Sequence, residues 1–269
     1  MKLFHLFRKQ GLAAPVFALA LASACLTTML IIRAVHGCEV RHLYLIWNLF
    51  LAWLPLLFAV LAVERFGSGT GVPPVRRDAE SPETSDTAGS LFSSPDRLEA
   101  CPTRTALRDR KFLALAIAWL LFFPNAPYIF TDLVHVAKYW RPSFWAELML
   151  VLLGALTGFL AGFLSLQVMH GLATRLWGRA RGWFFVAVVS GLSGFGVYLG
   201  RFLRLNSWDV LNPVRLVERT GEAAWNLATQ WQHTKFFILF SLFLLLGYVM
   251  LFALTLQRQE SATMPGGRS

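Results

Sequence analysis

Six stretches of this chain are so long and so apolar that only lipid can surround them. A hydrocarbon core about 30 Å thick is crossed by about 20 helical residues. The first such run is Ala13–Ile32, closed by Arg33, and the second is Leu43–Val63, closed by Glu64 and Arg65. The third starts at Phe112 and passes through Phe123 into Pro124-Asn125-Ala126-Pro127-Tyr128-Ile129-Phe130. Phe144–Met169, Trp183–Leu199 and Phe236–Leu256 complete the set. Such runs predict an all-α fold, a polytopic transmembrane helical bundle of about six transmembrane helices, because backbone in lipid must satisfy its own hydrogen bonds.

Composition supports that solvent. Hydrophobic residues make up 56% of the chain and charged residues 15%, against about 25% charged in soluble domains. The net charge of +10 would raise nucleic-acid binding in a soluble protein. Here the cations flank apolar runs, where they anchor helices, so no nucleic-acid partner is expected and membrane lipids are. Met1–Gln10 is basic, and the run after it is too long for a cleaved signal core, so the first helix is expected to stay. Cys25, Cys38 and Cys101 fall in an apolar run, a short loop and a polar linker, which predicts three unpaired thiols.

The organisation expected is transmembrane helices 1–2 in 1–66, a disordered cytoplasmic linker in 67–109, helices 3–6 in 110–259, and a flexible tail in 260–269. The linker is rich in Gly, Pro, Ser, Thr and mixed charge, and it holds too little apolar surface to offset the entropy of ordering. It is either a tolerated insertion or a docking segment. The polar stretch 201–235 differs, with Trp208, Trp225 and Trp231 among charged residues, and Val214–Gln230 can form an amphipathic helix in the membrane interface. With the N-terminus inside, more than half of the 25 Lys and Arg residues fall on the cytoplasmic side, much of that excess in the linker. The balance predicts cytoplasmic N- and C-termini.

That orientation places three polar groups on the extracytoplasmic side. Asn48 enters the second helix, Asn125, Thr131, Asp132 and His135 end the third, and Arg201, Arg204, Asn206, Ser207 and Asp209 follow the fifth. Polar groups at membrane depth are costly and face a cavity or one another. The strings WNLFLAWLPL (47–56), WLLFFPNAPYIFTDLVH (119–135) and GFGVYLGRFLRLNSWDV (194–210) resemble conserved blocks of an uncharacterised group of bacterial membrane proteins, domain-of-unknown-function family 1361. The resemblance covers the second to the sixth helix without the linker. It implies a polytopic bacterial inner-membrane protein and supplies no activity.

Each polar motif has a structural and a functional reading. Pro127 lacks an N–H and disfavours helical geometry at Ala126, so the third helix is expected to unwind or kink there. Such a break either terminates a helix or lines a binding site. Asp132 and His135 are spaced i, i+3, as a hydrogen-bonded pair or an oriented imidazole would be. No ligand motif completes a metal site, and no cofactor is expected. Arg201 and Arg204 could grip phosphate, carboxylate or a lipid headgroup, or pair with Asp132 and Asp209. Asn206 or Ser207 could cap a helix. Gly191-Leu192-Ser193-Gly194 resembles the serine motif of rhomboid proteases, but the sixth helix has no histidine to activate Ser193, so close helix packing is expected instead.

Two functions follow from these residues. One is a polar, extracytoplasmic-facing pocket for an anionic or lipid-linked ligand, in a membrane enzyme or transporter component, formed by Asn48, Asn125, Asp132, His135, Arg201, Arg204, Asn206 and Asp209. The other is a structural or assembly protein in which the same residues latch helix ends. An intramembrane hydrolase is the weakest reading.

Overall fold

The computed structural model describes residues 7, 12–37, 43–69, 109–137, 144–204 and 212–263, and every regular element among them is helical. The first two helices are α1 (Ala13–Gly37) and α2 (Tyr44–Gly69). The third crossing is built from α3 (Arg110–Phe122), α4 (Asn125–Tyr128), a 3-10 turn (Ile129–Asp132) and α5 (Leu133–Ala137). Then follow α6 (Phe144–Trp177), α7 (Arg179–Phe202), α8 (Pro213–Thr229) and α9 (Trp231–Thr263). Six helical segments are long and apolar enough to cross a membrane, matching the six runs read from sequence. The protein is a multi-pass membrane helical bundle.

Helical backbone outlasts the apolar runs. α2 continues to Gly69 and α9 to Thr263, past the expected ends at 66 and 259. Charged residues such as Glu64 and Arg65 end the apolar run without ending the helix, since their exposed side chains are compatible with helical backbone in water. Most of the 67–109 linker and the last residues of the tail lie outside the described residues, as do Cys38 and Cys101, while Cys25 is a free, exposed thiol.

α6 is the central helix, packed against α1, α2, α4, the 3-10 turn, α5, α7 and α9. Its 34 residues give a length of about 50 Å at about 1.5 Å each, well beyond the hydrocarbon thickness. Its buried face carries Gly154, Gly158 and Gly162 at four-residue spacing. A Cβ on Gly158 would sit 2.9 Å from the Ala126 carbonyl oxygen, and one on Gly162 would sit 2.8 Å from Cβ of Ala126. Glycine here lets the broken third crossing lie against α6 backbone to backbone, the main way helices gain contact in lipid.

Three apolar clusters fill the bundle, the smallest around Phe7, Leu56 and Val60. The larger two surround Trp119, Phe123, Phe163, Val186 and Tyr248, and Leu26, Leu45, Ala52, Ile129 and Ala155. Outward faces are apolar too, as at Phe17, Val35, Trp145, Phe184 and Met250. That inversion of the soluble pattern is what lipid contact requires.

The amphipathic helix expected over Val214–Gln230 is present as α8, packed on α9 and α7. Ala223 is buried, whereas Val214, Val217 and Trp225 point outward. Trp231 is exposed beside them, with Lys235 Nζ 5.3 Å from its ring centre. An outward apolar stripe flanked by Trp and Lys suits the headgroup region.

Candidate functional site

The third crossing breaks where the two prolines fall, but not by leaving helical geometry. Phe123, Pro124, Tyr128 and Ile129 all keep right-handed helical angles, and the chain tightens into a 3-10 turn. The expectation that Pro127 would push Ala126 out of the helix is corrected here: Ala126 lies within α4. Pro127 occupies the first turn of that short helix, where an N–H would have no intrahelical acceptor. The backbone groups at the break find partners locally. Ala126 N–H bonds back to Phe123 O at 3.2 Å, and Asn125 Nδ2 donates to Phe122 O at 3.1 Å. Thr131 Oγ1 donates to Tyr128 O at 2.7 Å and stabilises the 3-10 turn.

The tightened backbone brings Asp132 under the ends of two other helices. Asn48 Nδ2, in the first turns of α2, donates to Asp132 Oδ2 at 3.2 Å. Arg201 Nη1, in the last turn of α7, stands 3.7 Å from Asp132 Oδ1. The Asp132 side chain is buried, while the Arg201 side chain stays partly exposed. Tyr44, at the start of α2, lies in the electrostatic field of both Asp132 and Arg201. Gly196 of α7 packs on the Pro124 ring, which is 2.7 Å from where a Cβ would be. The α7 helix is thus keyed to the break through Pro124 and charged to it through Asp132.

Among the expected site residues, the structure therefore joins Asn48, Asp132 and Arg201. Asn125 serves the helix break beside them. Arg204 is exposed at the end of α7, with φ 54, the left-handed region that glycine usually fills after a helix. The backbone of His135 lies in α5, but its side chain is outside the described residues, as are Asn206 and Asp209 altogether. No group of three metal-ligating side chains occurs among the described residues. Ser193 is buried in α7, and its Oγ bonds to no imidazole.

A second ion pair sits near the same helix ends and was not anticipated. Arg33 of α1 stands 3.7 Å from Glu147 of α6, whose side chain is almost fully buried. The signal was present, since Glu147 is a single acid in the first turn of a long apolar helix.

No curated protein and no solved structure matches the chain. A family described as "Protein of unknown function (DUF1361)" matches residues 98–247. The match includes the strings 119–135 and 194–210, begins within the expected linker, and leaves the string 47–56 before its start. It spans the helix break with Asp132 and the α7 end with Arg201, and covers more than half of the chain, so this protein belongs to the DUF1361 family of proteins of unknown function.

Proposed function

We propose that the protein is a bacterial inner-membrane protein, with cytoplasmic N- and C-termini, that binds an anionic or lipid-linked ligand at its extracytoplasmic face. The ligand's acidic group is held by Arg201 and Arg204, and Asp132 with Asn48 fixes Arg201. The observation that carries this reading is Arg204, a non-glycine residue in left-handed backbone just past the end of α7, three residues after Arg201, with its side chain exposed. L-residues with a Cβ disfavour that conformation by about 1–2 kcal/mol, and such a cost at one position points to a use for the side chain. An Arg pair at a helix end is suited to bidentate capture of phosphate or carboxylate.

Arg204→Gly separates function from stability because the two effects have opposite signs. The variant is expected to melt at the same temperature as the parent or higher, by up to about 1 kcal/mol of relieved strain. Its bound fraction of anionic phospholipid, read by native mass spectrometry of the detergent-purified protein, is expected to fall several-fold. Equal retention of anionic lipid by parent and variant would overturn the reading.

A second reading rests on Asp132 itself. Its buried carboxylate bridges α2, the 3-10 turn and α7, which is what a structural latch requires. In that case Arg204→Gly leaves lipid retention unchanged, and only variants of Asp132 or Arg201 are disturbed.

A further inference from the structure

The turn that joins α6 to α7 gathers positive charge far from any acid in the sequence. Arg175 lies in the last turn of α6, Gly178 makes the bend with φ 90, and Arg179 and Arg181 open α7. All three arginines are exposed, and no acidic residue occurs between Glu147 and Asp209. The ion pairs among the described residues lie elsewhere, at Arg33, Arg201 and Arg219, so no carboxylate among those residues answers these three cations. From this turn we infer that the protein grips the phosphate of an anionic lipid headgroup on the membrane face opposite Asp132. The inference is independent of the Arg201 and Arg204 site.

The backbone adds donors to the charge. No side chain caps α7 at Gly178. Gly178 N–H bonds to Thr174 O at 2.9 Å, and the first bond along α7 runs from Gly182 N–H to Gly178 O at 3.0 Å. The N–H groups of Arg179, Ala180 and Arg181 come before that bond and have no acceptor within the helix. The dipole of a helix as long as α7 places partial positive charge on these amides, and amides at such a terminus suit a phosphate.

A buried side chain points to the same need for an acceptor. His170 is 5% exposed, and its Nε2 bonds nothing in the protein. Nε2 lies 3.3 Å from the Cβ position of Gly182, in the first turn of α7, and Thr174 Oγ1 reaches the same position. Tyr248 Oη stands 2.8 Å from Nδ1 of the same ring. When the tyrosine donates there, the imidazole proton lies on Nε2. A buried donor without an acceptor is costly. The oxygens of a lipid phosphodiester accept and do not donate, which is what a turn lined with donors lacks.

The depth of the turn suits a lipid rather than a soluble phosphate. Two membrane-spanning helices end here. Trp177 and Phe184 are exposed on either side of the arginines. Tryptophan at the end of an apolar run settles at headgroup level, and Phe184, one turn further into α7, meets the acyl chains. Arginine stems can lie along that apolar surface while the guanidinium groups stay with the phosphates. Arg110 and Lys111, exposed at the start of α3, face the same leaflet and extend the positive field. On the orientation proposed above, this is the cytoplasmic leaflet.

The gripping side chains are exposed, so the contact is read in a bilayer rather than after detergent extraction. The test is amide hydrogen exchange of the full chain in lipid nanodiscs, followed in peptides that cover the turn. In phosphatidylglycerol, exchange at Arg179, Ala180 and Arg181 is expected to be at least about fivefold slower than in phosphatidylcholine, whose headgroup has no net charge. In a chain with Arg175→Gln, Arg179→Gln and Arg181→Gln together, the two lipids are expected to give equal exchange. Equal exchange in the parent, or a difference undiminished by the three substitutions, overturns the proposal. Equal slowing by inorganic phosphate added to phosphatidylcholine nanodiscs would reveal a site for free phosphate and would overturn the lipid assignment. A measurement on the parent alone covers the case of a misfolded variant. Salt at about 1 M shortens the reach of exposed charges to about 3 Å and is expected to abolish the slowing. Slowing that survives this salt would mean that arginine charge does not hold the headgroup, and would equally overturn the proposal.

Discussion

Gly158→Val is expected to destabilise the folded protein by about 3 kcal/mol, the upper part of the range for overpacking a tight interior. The new Cβ would meet the Ala126 carbonyl oxygen and Ile129 Cδ1, each at 2.9 Å, and Cβ of Ala52 at 3.4 Å. Ile129 can rotate away, but the carbonyl belongs to the backbone of α4 and cannot yield unless the broken crossing retreats from α6. The gain in helix propensity on losing glycine is below about 1 kcal/mol and does not offset this. Gly171 is the internal control. It lies on the same helix with nothing within 4 Å of its Cβ position, so Gly171→Ala is expected to be neutral or slightly stabilising. Thermal unfolding in detergent, followed by size-exclusion recovery, checks both. Equal melting of Gly158→Val and the parent would mean that α4 does not lie against α6 as described.

The spans were legible because their cause is local. Twenty apolar residues in a row have one stable environment, and the six runs need no knowledge of each other. The helix break was legible for the same reason, since proline acts on its own turn. Its form was not. Whether Pro127 leaves the helix or opens a new one depends on where the next turn starts, and that is set by packing of Ala126 against Gly158 and Gly162, about thirty residues away. The meeting of Asn48, Asp132 and Arg201 could be proposed because three expensive polar residues at one membrane side must satisfy one another. Which of them would pair could not. Arg201 and Arg204 are equivalent on the sequence, and what distinguishes them is the contact of Arg201 with Asp132 and the left-handed backbone at Arg204. The Glu147–Arg33 pair was missed since each flanks an apolar run, where charges are ordinary. The buried hydroxyls of Ser190 and Ser193 on α7 and Ser241 on α9, which bond no partner in the protein, were invisible for a different reason. Serine in a membrane helix usually bonds its own preceding carbonyl, as Ser23 does to Leu19 O at 2.8 Å, and sequence does not reveal which serines fail to.

Arg201→Ala is expected to cost more than Asp132→Ala, and the two together less than the sum of both. Removing one member of a buried pair strands the other, at about 3–5 kcal/mol when burial is complete. Asp132 is 4% exposed and would lose its countercharge while keeping the Asn48 amide at 3.2 Å, so Arg201→Ala is expected to cost about 3 kcal/mol. Arg201 is 21% exposed and can turn towards water or headgroups, so Asp132→Ala is expected to cost about 2 kcal/mol. At 3.7 Å the contact is longer than an ideal charge-assisted bond, which keeps both values at or below the lower end of the range. The double variant strands neither charge, and its cost is expected to fall short of the sum by about 1–2 kcal/mol. Asp132→Asn is the informative intermediate, since it keeps an acceptor for Asn48 and removes only the charge that Arg201 answers. Simple additivity in thermal unfolding of the four proteins would show that the two side chains do not couple, and Arg201 would then owe its position to Gly196 seated on Pro124 rather than to the carboxylate.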